Sequence, residues 1–248
     1  MAPSAFTPLD PRTWLAQQPL QENEHLYLII SAASEAGALQ ALRTSVLAHP
    51  LLPIWSDTPY AAWQAVMPYV TKLEPDSAFL TWIAGNDALD WGWLAVSHCE
   101  PGEVLTHLRS LTQVRMPDGN PVFFRFWDGR FIYPLLEKLG AAAGQVLPTF
   151  DRYLINGKAL EIGPRRVPAV RDWPWWDIPQ EMLDRLPDEN GSMHVGLLLQ
   201  WLEEEHPGVH AAWSENNLKQ KISRFVSRVD ASENLRDALL EDLILEQG

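Results

Sequence analysis

The sequence feature that most constrains the fold is the run of residues 117–130, Pro-Asp-Gly-Asn-Pro-Val-Phe-Phe-Arg-Phe-Trp-Asp-Gly-Arg. Asp118-Gly119 predicts a tight hairpin turn, because glycine tolerates the positive φ that such turns need. The aromatic run after the turn predicts a buried strand, with Arg125 in its middle. A buried charge is costly unless it is paired. We therefore predict that Arg125 pairs with Asp128 or with nearby groups and fastens the end of the strand.

Composition restricts the class of protein. The chain has 248 residues, of which 46% are hydrophobic and 21% charged, as in soluble globular proteins. Its net charge of −13 argues against a nucleic-acid binder, which needs basic surface to neutralise phosphates. A single cysteine, Cys99, excludes an intrachain disulfide and a cysteine-based zinc cluster. The chain shows no signal peptide and no apolar stretch of ~18 residues, so we expect a cytoplasmic protein without membrane contact.

The order of hydrophobic patterns predicts two lobes. Leu26–Ile30 and Trp91–Ser97 are apolar runs typical of buried strands, and Ser34 is predicted to cap a helix that stops before Pro50. Asn156-Gly157 predicts a second hairpin. Residues 1–162 are therefore predicted to form an α/β (α+β) lobe with a mixed sheet and flanking helices.

The remainder of the chain has a different character. Residues 163–177 are rich in proline and tryptophan, and we interpret them as a linker that packs against another part of the protein. Residues 178–248 carry apolar stripes at helical spacing, such as Leu218, Ile222 and Phe225, and predict a smaller all-helical lobe.

A search for catalytic and metal-binding patterns finds weak candidates only. His98-Cys99 lies where a predicted strand turns into a helix, where a thiol is acidified by the helix dipole, so a thiol enzyme is one hypothesis. A capping turn beside a small buried cysteine is the simpler interpretation. His206 and His210 have an i, i+4 spacing, but Pro207-Gly208 between them is expected to prevent the helix that a metal site needs. We predict no catalytic residue, no metal and no cofactor.

Two sets of residues are candidates for binding a protein partner. Tryptophan is enriched at protein–protein hot spots, and three tryptophans cluster in the linker. A basic stripe on one predicted helix suits an acidic partner. The simpler interpretations are a solvated helix face for the stripe and a packing contact between the two lobes for the tryptophans. These candidates are Trp173, Trp175, Trp176, Lys221, Arg224 and Arg228.

The order of several short motifs resembles one known family. The motifs are Leu26–Ile30, Met67–Leu73, Trp91-Gly92, Leu108-Arg109, Val114–Gly119 and Phe124–Asp128. Together they resemble the adaptor chaperones of bacterial type VI secretion systems, the Tec or Tap proteins. The family pattern ends in Arg-Phe-Tyr-Asp-Pro-Arg, to which Arg125, Asp128 and Arg130 correspond. Trp127 stands at its Tyr position and Gly129 at its Pro position, which we expect to loosen the turn.

The resemblance implies a function and partners. Such proteins are cytoplasmic and non-enzymatic, and they bind a cognate toxic effector and help load it onto the trimeric spike protein of the secretion machine. The motif residues Asp118, Gly119, Arg125, Asp128 and Arg130 are expected to determine the fold, with the binding surface elsewhere. A thiol or hydrolytic enzyme and a toxin-neutralising immunity or regulatory protein are the alternative hypotheses.

Overall fold

A computed structural model describes residues 7–45, 48–117, 119–162, 171–179, 192–226 and 235–246. The chain divides into two compact units, Met1–Met182 and Leu183–Gly248. The division falls beyond the predicted linker 163–177, so the described residues 171–177 of that linker lie in the first unit. None of the described helices is both long and apolar enough to cross a membrane.

The first unit is built on a six-stranded sheet in the order β2-β3-β1-β4-β7-β8. The strands are β1 His25–Ser31, β2 Leu52–Pro53, β3 Pro68–Leu73, β4 Gly92–Ser97, β7 Arg152–Ile155 and β8 Lys158–Glu161. With its flanking helices this sheet gives the predicted α+β class. Every ladder in the sheet is antiparallel, so the prediction of a mixed sheet was wrong in that detail.

Strand β1 is the centre of the core. It pairs with β3 on one side and β4 on the other, and Leu26–Ile30 are almost completely buried. A strand covered on both faces has no reason to alternate polar and apolar residues, which explains its continuous apolar sequence. Gly92 allows the close approach of β4, because a Cβ at this position would lie 2.1 Å from the Ile29 carbonyl oxygen.

Helices connect and cover these strands. In the first unit they are α1 Pro11–Gln17, α2 Ala38–Thr44, α3 Phe79–Ala84, α4 Pro101–Ser110, α5 Gly129–Leu139 and α6 Ala143–Val146, with a 3₁₀ turn at Gly140–Ala142. Ser34 does not cap α2: the N-cap is Gly37, and the Ser34 hydroxyl instead donates to Asp90 at 2.9 Å. A glycine at this cap is explained by its positive φ of 68°.

The hairpin of residues 113–123 differs from its prediction. Strands β5 Gln113–Arg115 and β6 Pro121–Phe123 are joined by a longer connection than a two-residue turn, in which Gly119 has a φ of 84°. Asp118 lies outside the described residues. Strand β6 stops at Phe123, because the following backbone turns on itself from Phe124 onward. Arg125 therefore lies in a turn after the strand and not within it, and its side chain is 41% exposed.

The second unit is helical, as predicted. Its helices are α7 Ser192–Glu205, α8 Pro207–Ala211, α9 Glu215–Val226 and α10 Leu235–Leu245. Leu218, Ile222 and Phe225 of the predicted stripe are buried with Leu202 and Leu239 in its core. Pro207 begins α8 and does not interrupt a helix between His206 and His210, since proline suits a first helical position.

Candidate protein-binding surface

Asp128 is the buried centre of the Arg125–Arg130 motif. The side chain is 2% exposed and caps α5 by accepting from the Arg130 backbone N–H at 3.0 Å. It also accepts from Arg130 Nη2 at 2.7 Å and from Arg125 Nη2 at 3.3 Å, so the predicted Arg125–Asp128 pair is present. The hydrogen bonding to Asp128 raises the pKa of the Arg130 guanidinium. The buried member of the network is thus the carboxylate, and the arginines reach it from the surface.

Gly129 is tightly packed, contrary to the expectation of a loosened turn. A Cβ at this position would lie 2.8 Å from the Asn156 side chain and 2.9 Å from the Leu89 carbonyl oxygen. The residue begins α5, directly after its Asp128 cap. Glycine at this position therefore permits close packing of the start of α5 against neighbouring segments.

The tryptophans of residues 173–176 are held by the β5–β6 hairpin. The Arg115 N–H donates to the Trp176 carbonyl, and the Arg115 carbonyl accepts from Ile178 N, each at 2.8 Å. Trp175 Nε1 donates to the Ser110 hydroxyl at 3.1 Å, and the Trp176 ring lies 5.5 Å from that of Phe124. The rings are half-buried, so much of their apolar surface already stabilises the first unit.

His107 is a buried histidine beside this segment. It is 5% exposed, and its ring centre lies 6.2 Å from that of Trp175. Because the Val146 carbonyl only accepts, His107 Nε2 must carry the proton of their 2.8 Å hydrogen bond. Nδ1 is buried without a hydrogen-bond partner among the described residues. Burial lowers the pKa of His107 to about 4, so the ring is neutral at pH 7.

The predicted basic stripe lies on α9. Lys221 forms an ion pair with Glu246 and lies 4.0 Å from the ring centre of Trp213, so its charge already has partners. Arg224 is exposed on the same helix. Arg228 lies outside the described residues.

The candidate thiol site has mixed features. Cys99 is only 4% exposed, whereas a nucleophilic thiol must be reached by its substrate. His98 Nδ1 lies 2.8 Å from Asp151 Oδ2, and both side chains are about a quarter exposed. Of the other histidines considered, His206 packs its ring 4.8 Å from that of Trp201. Among the described residues, no group of three or more His, Cys, Asp or Glu is placed to hold a metal ion.

Among the described residues, an exposed aromatic group lies in a segment that the sequence patterns left unassigned. Between β2 and β3 the chain forms successive turns, and Trp63 is 40% and Val66 39% exposed, with Tyr60 half-buried beside them. We refer to Tyr60, Trp63 and Val66 as the Trp63 surface. No residue from 58 to 67 carries a charge. Large exposed apolar side chains that lie together are typical of protein-interaction sites.

A buried aromatic cluster supports the Trp63 surface. The Trp63 ring lies 5.4 Å from Phe123 and 6.2 Å from Trp55, which is only 2% exposed. Trp55 in turn lies 5.2 Å from Trp127 in an edge-to-face arrangement. Such ring pairs stabilise beyond their buried area. The exposed ring is therefore anchored in the core of the unit.

Hydrogen bonds fix the backbone of the same segment. Arg109 Nε donates to the Ile54 carbonyl at 2.9 Å, and its Nη2 donates to the Ser56 hydroxyl at 2.8 Å. Gln113 donates to the Tyr60 hydroxyl at 3.2 Å. An irregular segment held in this way binds a partner at lower entropic cost than a free loop. Residues far apart in sequence create the surface, which is why periodicity within residues 52–67 did not indicate it.

Comparison with known proteins finds a family match over part of the chain. No curated protein and no solved structure matches it. Residues 26–144 match the model of a protein family described as a domain of unknown function, DUF4123. The matched region includes all but the first residue of β1, together with the Trp63 surface, Arg109 and the Asp128 network.

Proposed function

We propose that this protein is a non-enzymatic adaptor chaperone, which binds a cognate toxic effector of a type VI secretion system and helps load it onto the trimeric spike protein. The observation that carries the proposal is the Trp63 surface, an exposed and uncharged aromatic surface held rigid by the core beneath it. Rigid tryptophan anchors supply much of the binding energy of protein interfaces. The proposed partner is therefore a protein.

Two further features support this proposal. Motifs that resemble the adaptor family include residues with buried polar contacts or close packing, namely the Asp128 network and Gly92, which supports the expectation that they determine the fold. The net charge of −13 suits a basic partner, because complementary charge speeds association. In this function the acidic chain shields an apolar effector segment until the spike accepts it.

The hydrogen bond between His98 and Asp151 is the observation that favours a second candidate, a thiol or hydrolytic enzyme. A carboxylate that orients an imidazole is a common arrangement in general-base catalysis. The burial of Cys99 opposes it. An activity screen that compares the parent chain with His98→Ala and Cys99→Ala tests this candidate, which fails if all three proteins behave alike.

Delivery of the effector tests the proposed function directly. The gene is deleted from its bacterium, and secretion of the toxin encoded beside it is measured with and without complementation. We expect the toxin to be unstable or retained in the deletion strain and exported after complementation. Normal export without the protein would contradict the proposal. Self-intoxication of the deletion strain, relieved by complementation, would instead identify an immunity protein.

A further inference from the structure

The charge pattern around the Trp63 surface indicates what kind of segment it binds. Asp57 precedes the uncharged run, and its side chain is 88% exposed. Arg109 Nη2 lies 3.9 Å from the Asp57 carboxylate, but it donates at 2.8 Å to the Ser56 hydroxyl. The Asp57 carboxylate is thus left largely open to solvent and to a partner.

The residue at 57 is also held in an unusual backbone conformation. Its φ is 60°, in the left-handed region that non-glycine residues adopt rarely. The Thr58 N–H donates to the Trp55 carbonyl at 3.2 Å across this turn, and the Ser56 N–H donates to the Pro53 carbonyl at the same distance. These hydrogen bonds fix the backbone at residue 57, which lies between the buried Trp55 and the uncharged run.

The exposed apolar side chains and the Asp57 carboxylate together indicate the chemistry of a matching ligand. A segment that covers Trp63 and Val66 must be apolar there, since a charge placed against these side chains would lose its hydration without gaining a partner. Beyond the uncharged run, the exposed Asp57 carboxylate and the net charge of −13 favour lysine or arginine. A ligand with acidic residues beside its apolar anchor is disfavoured by the same charges.

We propose that the Trp63 surface binds a short effector segment in which an apolar anchor is followed or preceded by lysine or arginine, with Asp57 pairing with the cation. This inference rests on the proposed adaptor function. Trp63 and Val66 contact the anchor, and Asp57 selects against acidic segments.

A peptide array combined with four variants tests the inference. The full chain is probed with overlapping 15-residue peptides that tile the toxin encoded beside it, and the peptides that bind are titrated by calorimetry. We expect binders to combine an apolar anchor with Lys or Arg. Trp63→Ala is expected to weaken them roughly tenfold or more. Asp57→Asn, which removes the charge and tolerates the positive φ at this position, is expected to weaken them roughly threefold at low salt, and less at high salt.

Controls separate the inference from the proposed function. Leu89→Ala removes a side chain of 51% exposure outside the aromatic cluster and is expected to leave binding unchanged. If Trp63→Ala fails to fold, Val66→Glu takes its place, because it alters the Trp63 surface without removing a ring. If the effector binds but neither surface variant weakens it, the inference is overturned and the adaptor function stands. If neither the effector nor the peptides bind, the inference and the proposed function are both wrong. A dimer of this chain that Trp63→Ala dissociates would show that a second copy covers the Trp63 surface.

Discussion

Acidification is predicted to destabilise the first unit through His107. The ring is 5% exposed, and its Nδ1 lacks a hydrogen-bond partner among the described residues. Burial lowers its pKa from 6.5 to about 4, whereas the unfolded chain keeps the ordinary value. Below about pH 6.5, His107 therefore binds a proton more readily in the unfolded state than in the folded state. The stabilisation is fully present above about pH 6.5 and is lost as the pH falls toward 4.

The magnitude follows from the difference between the two pKa values. At 1.36 kcal/mol for each pH unit, a pKa lowered from 6.5 to about 4 corresponds to about 3 kcal/mol in total, of which about 2 kcal/mol is lost by pH 5. Urea unfolding of the wild-type chain and His107→Gln at about pH 7.5 and about pH 5 measures this loss. Ten of the twelve tryptophans lie in the first unit, so tryptophan fluorescence reports mainly on it.

The comparison isolates the histidine, because the carboxylates titrate alike in both proteins. We expect the free energy of unfolding to fall by about 2 kcal/mol more in the wild-type chain than in His107→Gln over this pH range. His107→Phe, which also lacks the donor to Val146, should show the same shallower pH dependence despite a lower stability at neutral pH. Equal pH dependence in all three proteins, or an imidazole NMR titration centred near 6.5, would refute the reasoning.

The remaining predictions concern the residues that hold the sheet, the α5 cap and the Trp63 surface. Gly92→Ala should lower the free energy of unfolding by ~3 kcal/mol or more, because its Cβ would collide with the β1 backbone. Gly102→Ala, at a helical site with open space, should leave the free energy of unfolding unchanged or raise it by up to ~1 kcal/mol. Equal unfolding midpoints of the two variants would refute the packing argument. Asp128→Ala should lower the free energy of unfolding by about 2 kcal/mol, because it removes the α5 cap and the acceptor for two arginines. The loss should exceed that of Arg125→Ala, whose side chain is 41% exposed. The reverse order in thermal unfolding would show that Arg125 contributes more than Asp128 to the stability of this network. Arg109→Lys should lower the free energy of unfolding by about 1 kcal/mol, because it loses the paired hydrogen bonds to residues 54 and 56, and it should also weaken effector binding. Unaltered binding by calorimetry would show that the Trp63 surface does not depend on these hydrogen bonds.

Local sequence signals predicted the elements whose structure depends on their own residues. Asn156-Gly157 forms the predicted hairpin turn, with φ values of 51° and 71° that only such residues adopt readily. The apolar run Leu26–Ile30 is a central strand, as its continuous apolar sequence predicted. In each case the residues that define the element lie within it.

Long-range contacts decided what the sequence could not predict. Trp55 is buried and Trp63 is exposed, although the two lie in one segment without periodicity. Their burial differs because Arg109, 55 residues after Ile54, holds the beginning of the segment against α4. Likewise Arg125 is half-exposed because β6 stops at Phe123, which the run of aromatic residues did not indicate.

The central claim is that the Trp63 surface binds the effector, and the affinity of the intact proteins tests it most directly. The full chain, its Trp63→Ala variant and the Leu89→Ala control are each titrated with the toxin whose export the deletion experiment shows to depend on this protein. We expect roughly tenfold or greater loss of affinity for Trp63→Ala alone, with all three proteins shown by thermal unfolding to be folded at the temperature of the titration. Equal affinity of all three for the toxin would contradict it.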